Sequence, residues 1–564
     1  MAYESKTKKT DNTLKTVVDN FNQAWNYAET HYHDTWQDCW KLYNNERIDK
    51  AYEGITDTFV PITFSTVETM VSALAGSQPR FDYLPTKPEQ ENETKVLNAL
   101  VDFFWKSDQW QSKVDKWVRS MIMYGTGVMY IWWDIDRPRL VNVPLRDFFV
   151  DPTATNPHDA KFMGRRYLTT KEALMEMEVV DPETGEAKPM YKNLGKVTAG
   201  GTGENTDKEE KDLFYGSTLG EQAAENQVEI IEYWTKDKVC TVANRSVVIR
   251  EVENPYLTAA KARDMSNPEG LFPFIVQRNY QDESLFYGKG EIEPIKGQQE
   301  LLNDLTNQNN DAIIFTLNPM FTLDPRYEDY LSEVESVPGK VLPFEAGALQ
   351  PIPQSNVPAD AFNERLNIKN EIREATASDQ VVKGVSQDTS ATATEIVTQL
   401  NQAGQRFAIK ISQIENEGYY DLAKIVLKMA QLFITERFAV KVIGDRQEVD
   451  WVEFEPSDWT GDYEPSVLLE STVTSQKRED KQQAQDLYLS FIENPYVNPE
   501  ELTRMTLTKL FELDTTEVNL LMSQDQQFGQ DPFGQLPPEQ LPPEQLPQEA
   551  APTGLDIQDF LGGL

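Results

Sequence analysis

Few residues in the chain are equipped for chemistry. There are three histidines, and two of them, His31 and His33, stand near Asp38 and Cys39 in a tract otherwise dominated by aromatic residues. Imidazole, thiolate and carboxylate are the ligands zinc prefers, but they must converge on one point. On a helix, positions i and i+2 face different ways, so His31 and His33 do not share an ion there. His158 lies in a turn-rich stretch beside no nucleophile motif, and no G-x-S-x-G occurs. Asp134 and Asp136 offer paired carboxylates of the kind that hold magnesium, yet their neighbours Arg137 and Pro138 favour a hairpin turn. Gly288-Lys-Gly-Glu291 and Gly195-Lys-Val-Thr198 lack the spacing of a phosphate-binding loop. Gly200-Gly-Thr-Gly203 has no strand before it, which argues against a dinucleotide site. No catalytic, cofactor or metal site is expected, and the chain reads as a non-enzyme.

Composition narrows the field further. The 564 residues carry 53 basic and 92 acidic side chains, a formal charge of -39. A protein that grips nucleic acid over a broad face carries a basic surplus, so contact with a polyanion must here be local or transient. With 39% hydrophobic and 10% aromatic residues the chain can bury sizeable cores, and its length suggests about three or four units. Two cysteines, Cys39 and Cys240, make no disulfide framework and suit a reducing compartment. No signal peptide is read at the N-terminus and no apolar run reaches membrane-spanning length, so no membrane partner is expected.

The positioning elements follow from periodicity. Phe21, Trp25, Ala28, Tyr32, Trp36 and Trp40 recur every three or four residues and predict one helix over 13–43, with Tyr27 off the stripe. A second helix is expected over 93–123, then a hairpin of 128–133 with 139–143, a short strand at 148–150 and a turn at Asp151-Pro-Thr-Ala154. Residues 181–225 read as a long flexible excursion. Strands are expected at 228–234, 239–243, 247–252 and 272–279.

From residue 287 the character changes. A Gln- and Asn-rich helix over 291–317 precedes a compact Pro-bearing segment with strand-like pieces near Phe321 and at 341–344. Next comes a helix over 359–377 whose only large apolar residues are Phe362, Leu366, Ile368 and Ile372, too few for it to stand alone. A loop follows, then a very long helix over 391–435, strands at 438–443, 449–454 and 466–469, and helices at 474–493 and 499–514. The repeat of Gln-Leu-Pro-Pro-Glu from Gln535 favours polyproline II and disorder, and no lysine or arginine follows Lys509.

This order resembles the portal, or head-to-tail connector, proteins of tailed bacteriophages. Local stretches are similar too: Val141-Asn-Val-Pro-Leu-Arg-Asp-Phe-Phe-Val-Asp-Pro-Thr-Ala154, Phe272-Pro-Phe-Ile275, Tyr287-Gly-Lys-Gly290, Gln298-Gln-Glu-Leu-Leu-Asn-Asp-Leu305, Pro338-Gly-Lys-Val-Leu-Pro343 and Ala391-Thr-Ala-Thr-Glu395. The likeness spans about residues 15–510 and is nearest to portals of short-tailed phages.

The resemblance implies an α+β fold, mainly helical with a mixed β wing, assembled as a ring of usually twelve subunits around a DNA channel. Residues 1–287 and strands within 438–473 would form the wing, 288–318 and 359–378 the paired stem helices, and 319–358 the clip. Residues 379–390 would be a tunnel loop, 391–437 the long helix joining stem to wing, 474–525 a helical crown and 526–564 a disordered tail. The implied partners are double-stranded DNA in transit, terminase, tail adaptors, and major capsid and scaffolding proteins. The implied location is the capsid vertex of a virion assembled in the host cytoplasm. Candidate channel residues are Lys383 with Val381, Val382 and Gln387, and Lys369 with Arg373. The last two stand at a spacing that also suits ordinary intrahelical pairing with Glu364, Glu371 or Glu374. Candidate docking residues for motor or adaptor are Arg326, Tyr327, Glu328 and Asp329, a stretch that could equally join neighbouring clips. The alternative is another non-enzymatic virion tail or adaptor component.

Overall fold

The computed structural model describes residues 2–49, 53–76, 78–85, 91–134, 137–180, 187–198, 227–262, 268–333, 341, 345–352, 359–376, 409–434, 438–443, 449–454 and 463–469, with 488, 490, 503 and 504. The chain divides into two units, Met1–Val473 and Thr474–Leu564. In the second unit the described residues are helical, and most of the two helices expected there, like the Pro-rich tail, falls outside the described residues.

The first unit mixes helices with antiparallel sheets. Helix α1 (Ala2–Ala28) runs through a π-helical turn, Glu29–His33, into α2 (Asp34–Tyr43). The expected helix is therefore present, but it starts earlier and is locally underwound at the π-helical turn. Of its stripe, Phe21, Trp25, Ala28 and Trp36 are buried, whereas Tyr32 and Trp40 are half-buried. Each large side chain removed from water in this way contributes about 1.5–3 kcal/mol. α3 (Ile62–Ala75), β1 (Pro79–Pro85), α4 (Glu91–Ser107) and α5 (Trp110–Tyr124) follow.

The single helix expected over 93–123 is thus two. Gln109 adopts a left-handed φ of 50°, and Asp108 beside it collects the Trp110 indole N–H at 3.1 Å, Lys113 at 2.5 Å and Arg139 at 2.8 Å. Those bonds hold the chain out of helical register. Periodicity alone does not reveal such a break, because Phe104 and Trp110 are buried on either side of it.

Strands β2 (Thr126–Asp134) and β3 (Arg137–Val143) form the expected hairpin, and β2 also pairs with β11 (Phe274–Arg278). A five-stranded sheet in the order β10-β9-β8-β5-β4 joins Val247–Glu253, Lys238–Ala243, Gln227–Trp234, Met163–Thr170 and Phe148–Val150. Asp151 turns the chain as expected: Thr153 N donates to its carboxylate at 2.9 Å and Ala154 N to its carbonyl at 3.0 Å. The excursion over 181–225 is corrected in part. β6 (Glu178–Val180) pairs with β7 (Ala187–Pro189), and Tyr191 and Val197 are buried against Val228 and Ile230. Tyr191 and Val197, with Met190 and Leu194 packed beside them, seat this segment, too few apolar side chains to register in a composition window. Residues 181–186 and 199–225 lie outside the described residues.

The main core gathers α3, α4, α5, β2 and β11 around Trp110, Trp117, Met129 and Ile275. A second core lays Val17, Phe21 and Trp25 of α1 on Phe149, Ile231, Tyr233 and Val242 of the five-stranded sheet. Gly125 ends α5 with φ 87°, and its N–H donates to Met121 O at 2.8 Å. A Cβ on Gly288 would come within 2.6 Å of Gly125 O, so the Tyr287-Gly-Lys-Gly290 stretch serves close backbone packing.

Candidate functional site

The helices on either side of the Pro-bearing segment pack together as a pair. The first, α8 (Lys296–Leu317), follows α6 (Lys171–Glu176) and α7 (Pro255–Ala262); the second, α9, is Ala359–Thr376. Their shared apolar seam is small, consisting of Ile295 and Leu302 against Ile368 and Ile372, with Val60, Ile62 and Leu305 at its edge. So little apolar area leaves most of α8 to be held by something else.

That something is a polar ladder. Gln299, Asn303, Asn307 and Asp311 recur every four residues, and all four are buried. They bind the backbone of an extended strap, residues 55–60. Val60 N donates to Asn303 Oδ1 at 3.0 Å, Thr58 N to Asn307 Oδ1 at 2.8 Å, and Thr56 N and Ile55 N to the Asp311 carboxylate at 2.9 and 2.8 Å. In return Gln299 Nε2 donates to Val60 O at 2.8 Å and Asn307 Nδ2 to Thr58 O at 3.1 Å. A primary amide carries one donor group and one acceptor, the pair that a neighbouring strand would offer. Four helical residues rise about 6 Å and two extended residues about 6.6 Å, so alternate strap residues stay in step with the ladder. Arg47 fastens the near end to Asp304, with Glu300 at 3.6 Å. Burial raises the Glu300 carboxyl above its ordinary range.

Between the helices, β12 (Phe321–Leu323) pairs with β13 (Leu349–Pro351). The strand expected at 341–344 is not β12's partner: Val341 lies outside any strand, and 342–344 are outside the described residues. Arg326 is exposed and held by Asp324 at 2.9 Å; Tyr327 is half-buried, while Glu328 and Asp329 are exposed.

On α9, Lys369 and Arg373 share a flank with Arg365, each four residues from the next. Burial, then the Arg365 and Arg373 charges, holds the Lys369 ammonium below its usual range. Among the described residues none of the three has an ion-pair partner, and Arg365 Nε is buried without a hydrogen bond. The pairing considered for Lys369 and Arg373 with Glu364, Glu371 or Glu374 is not formed. Val381, Val382, Lys383 and Gln387 lie outside the described residues.

The described part of the long helix is helical over 409–414, makes a π-helical turn at Glu415–Tyr419 and continues as α10 (Tyr420–Phe433). It is gripped by the segment after β11. Buried Lys410 donates to Asn279 Oδ1 and Glu291 Oε1, both at 2.6 Å, and lies 3.9 Å over the Tyr280 ring. Gln277 Oε1 accepts from Gly418 N at 2.8 Å, and a Cβ on Gly418 would strike the Trp117 ring. β16 (Tyr463–Leu469) pairs with β1, while β14 (Phe438–Ile443) and β15 (Val449–Phe454) form a hairpin.

Of the residues first weighed for chemistry, Asp136 and residues 200–203 lie outside the described residues. His33 is buried between Trp25 and Trp36, whereas His31 is exposed. Burial, aided by the Arg146 and Arg166 charges, pushes the His33 imidazole down to about 3. His158 lies 3.6 Å from Asp421, and Asp134 pairs with Arg139 at 3.2 Å. Cys39 and Cys240 are buried thiols pushed up to about 12. No group of three metal-capable side chains occurs among the described residues. Nor, among them, is any helix long and apolar enough to cross a membrane.

Sequence reasoning missed Arg365, Lys410 and the four ladder residues. The ladder left a signal, amide and carboxylate side chains at every fourth position, but Lys410 left none. One family model, described as phage SU10 portal protein, matches residues 135–558 of this chain. No curated protein matches it.

Proposed function

Because the chain belongs to the phage SU10 portal protein family, we propose that it forms a closed ring of about twelve copies at one capsid vertex, through which genomic DNA enters and later leaves. The observation that carries the ring is apolar surface left open on the helix pair and the segment between them. Leu301, Ile313, Leu317, Phe321, Phe362 and Leu366 are all exposed in the single chain. Large apolar side chains gathered this way mark an interaction surface, and a second copy is the partner always at hand during ring assembly.

In this proposal residues 1–287 and the strands of 438–473 make the wing, 288–318 and 359–378 the stem, and 319–358 the clip. The loop 379–390 turns toward the lumen, 391–437 links stem to wing, and 474–525 crowns the ring. The chain supplies a conduit and no catalysis; terminase, a separate protein, drives the DNA. Arg326, Tyr327, Glu328 and Asp329 offer that motor, and afterwards the tail adaptors, a mixed-charge surface. Capsid and scaffolding proteins surround the wing at the virion vertex.

DNA must slide, so phosphate contacts have to be few. Lys383 is the one basic residue in the loop 379–390, set among Val381, Val382 and Gln387. Substituting Lys383→Ala is expected to alter the amount of DNA packaged or retained per particle while leaving rings intact. Unchanged packaging and retention would remove the role.

A further inference from the structure

The second helix of the pair, α9, carries opposite charges on opposite flanks. Its buried seam is Ile368 and Ile372. At about 100° per residue, Arg365, Lys369 and Arg373 fall to one side of that seam, with exposed Phe362 and Leu366 beside them. Glu364 and Glu371, both exposed, fall to the other. Among the described residues, neither stripe has an ion-pair partner of opposite charge. The three basic residues have no carboxylate partner among the described residues, and Lys369 sits half-buried with like charges on both sides. The acidic side chains of the companion helix α8 are taken: Asp304 and Glu300 hold Arg47, and Asp311 holds the strap.

We propose that the basic flank of α9 docks against the acidic flank of α9 in a second copy of this chain, so that the two stripes form a head-to-tail contact repeated around the ring. The contact presupposes the ring proposed above. Opposite charges on two different flanks of one element fit a heterologous contact, which closes into a ring when its rotation allows. An isologous contact would bring like charges together. Phe362 and Leu366 supply the apolar part of the surface, and the charges set register and exclude other pairings. Lys369 and Arg373 are thereby assigned to the neighbouring subunit, and DNA contact falls to the loop.

Two charge-reversed chains test this. The first carries Arg365→Glu, Lys369→Glu and Arg373→Glu; the second carries Glu364→Lys and Glu371→Lys. Each alone opposes like charges at every contact and is expected to lose ring population about tenfold or more, since such juxtapositions cost several kcal/mol. Mixed in equal amounts, the two regain complementary contacts and are expected to form rings of alternating chains, read by mass photometry. Circular dichroism and thermal unfolding of each chain establish that it folds. Two folded variants that each close rings alone would overturn the contact, and weaker DNA retention in the first would then return its residues to the channel. Folded variants that fail to form rings even when mixed would overturn it too. A natural chain that forms no ring would instead overturn the function proposed above.

Discussion

Lys410 and Glu291 form a buried ion pair at 2.6 Å, completed by Asn279 and the Tyr280 ring. Removing one member of such a pair strands the other charge in a poorly solvated place, at a cost of about 3–5 kcal/mol. Lys410→Met is therefore expected to lower the urea midpoint strongly. The double variant Lys410→Met, Glu291→Met should recover much of the loss, because an apolar pair of similar volume carries no desolvation penalty. Equal losses in the single and double variants would show that the pair is not what holds this site. No sequence pattern marks Lys410. It is one of several lysines in a stretch rich in apolar residues, and its partner lies 119 positions away. His31 and His33 are the opposite case, since helical spacing alone told them apart and the buried and exposed rings follow it.

At the scale of elements, periodic apolar stripes were readable and polar ones were not. The α1–α2 stripe, the 128–143 hairpin and four strands of the five-stranded sheet follow from side-chain spacing, because burial of one face leaves a record in residue type, whereas β5 (Met163–Thr170) was not expected. The α8 ladder leaves a record as well, but in amides, which also suit a solvated surface. The strap has no periodicity of its own; it is defined by what binds it. Asn303→Ala with Asn307→Ala leaves the N–H groups of Val60 and Thr58 without acceptors, each costing about 1–3 kcal/mol if they stay buried. The expected outcome is early proteolytic cleavage within 53–60 while the five-stranded sheet remains folded. Unchanged protection of 53–60 would mean that the ladder does not hold the strap. The break at Gln109 and the π-helical turn at Glu415–Tyr419 were beyond reach, because long-range bonds accompany them, Arg139 to Asp108 in one case and Gly418 N–H to Gln277 in the other.

For the whole molecule, the charge of -39 fits a conduit. Repeated around the proposed ring, it would repel DNA from the walls and leave passage to sparse basic contacts, of the kind proposed for Lys383. The small seam between α8 and α9 agrees with the proposed assembly, since helices that gained their remaining partners in a ring would need little apolar area within one chain. The portal family was legible from the order of elements together with short local stretches, none of which carries the identification alone. The proposed interface was legible only once the helix flanks could be compared. Imaging the purified chain by negative-stain electron microscopy tests the central claim most directly. The expected particles are closed rings of about twelve subunits with a central hole; a well-behaved monomer under the same conditions would contradict it.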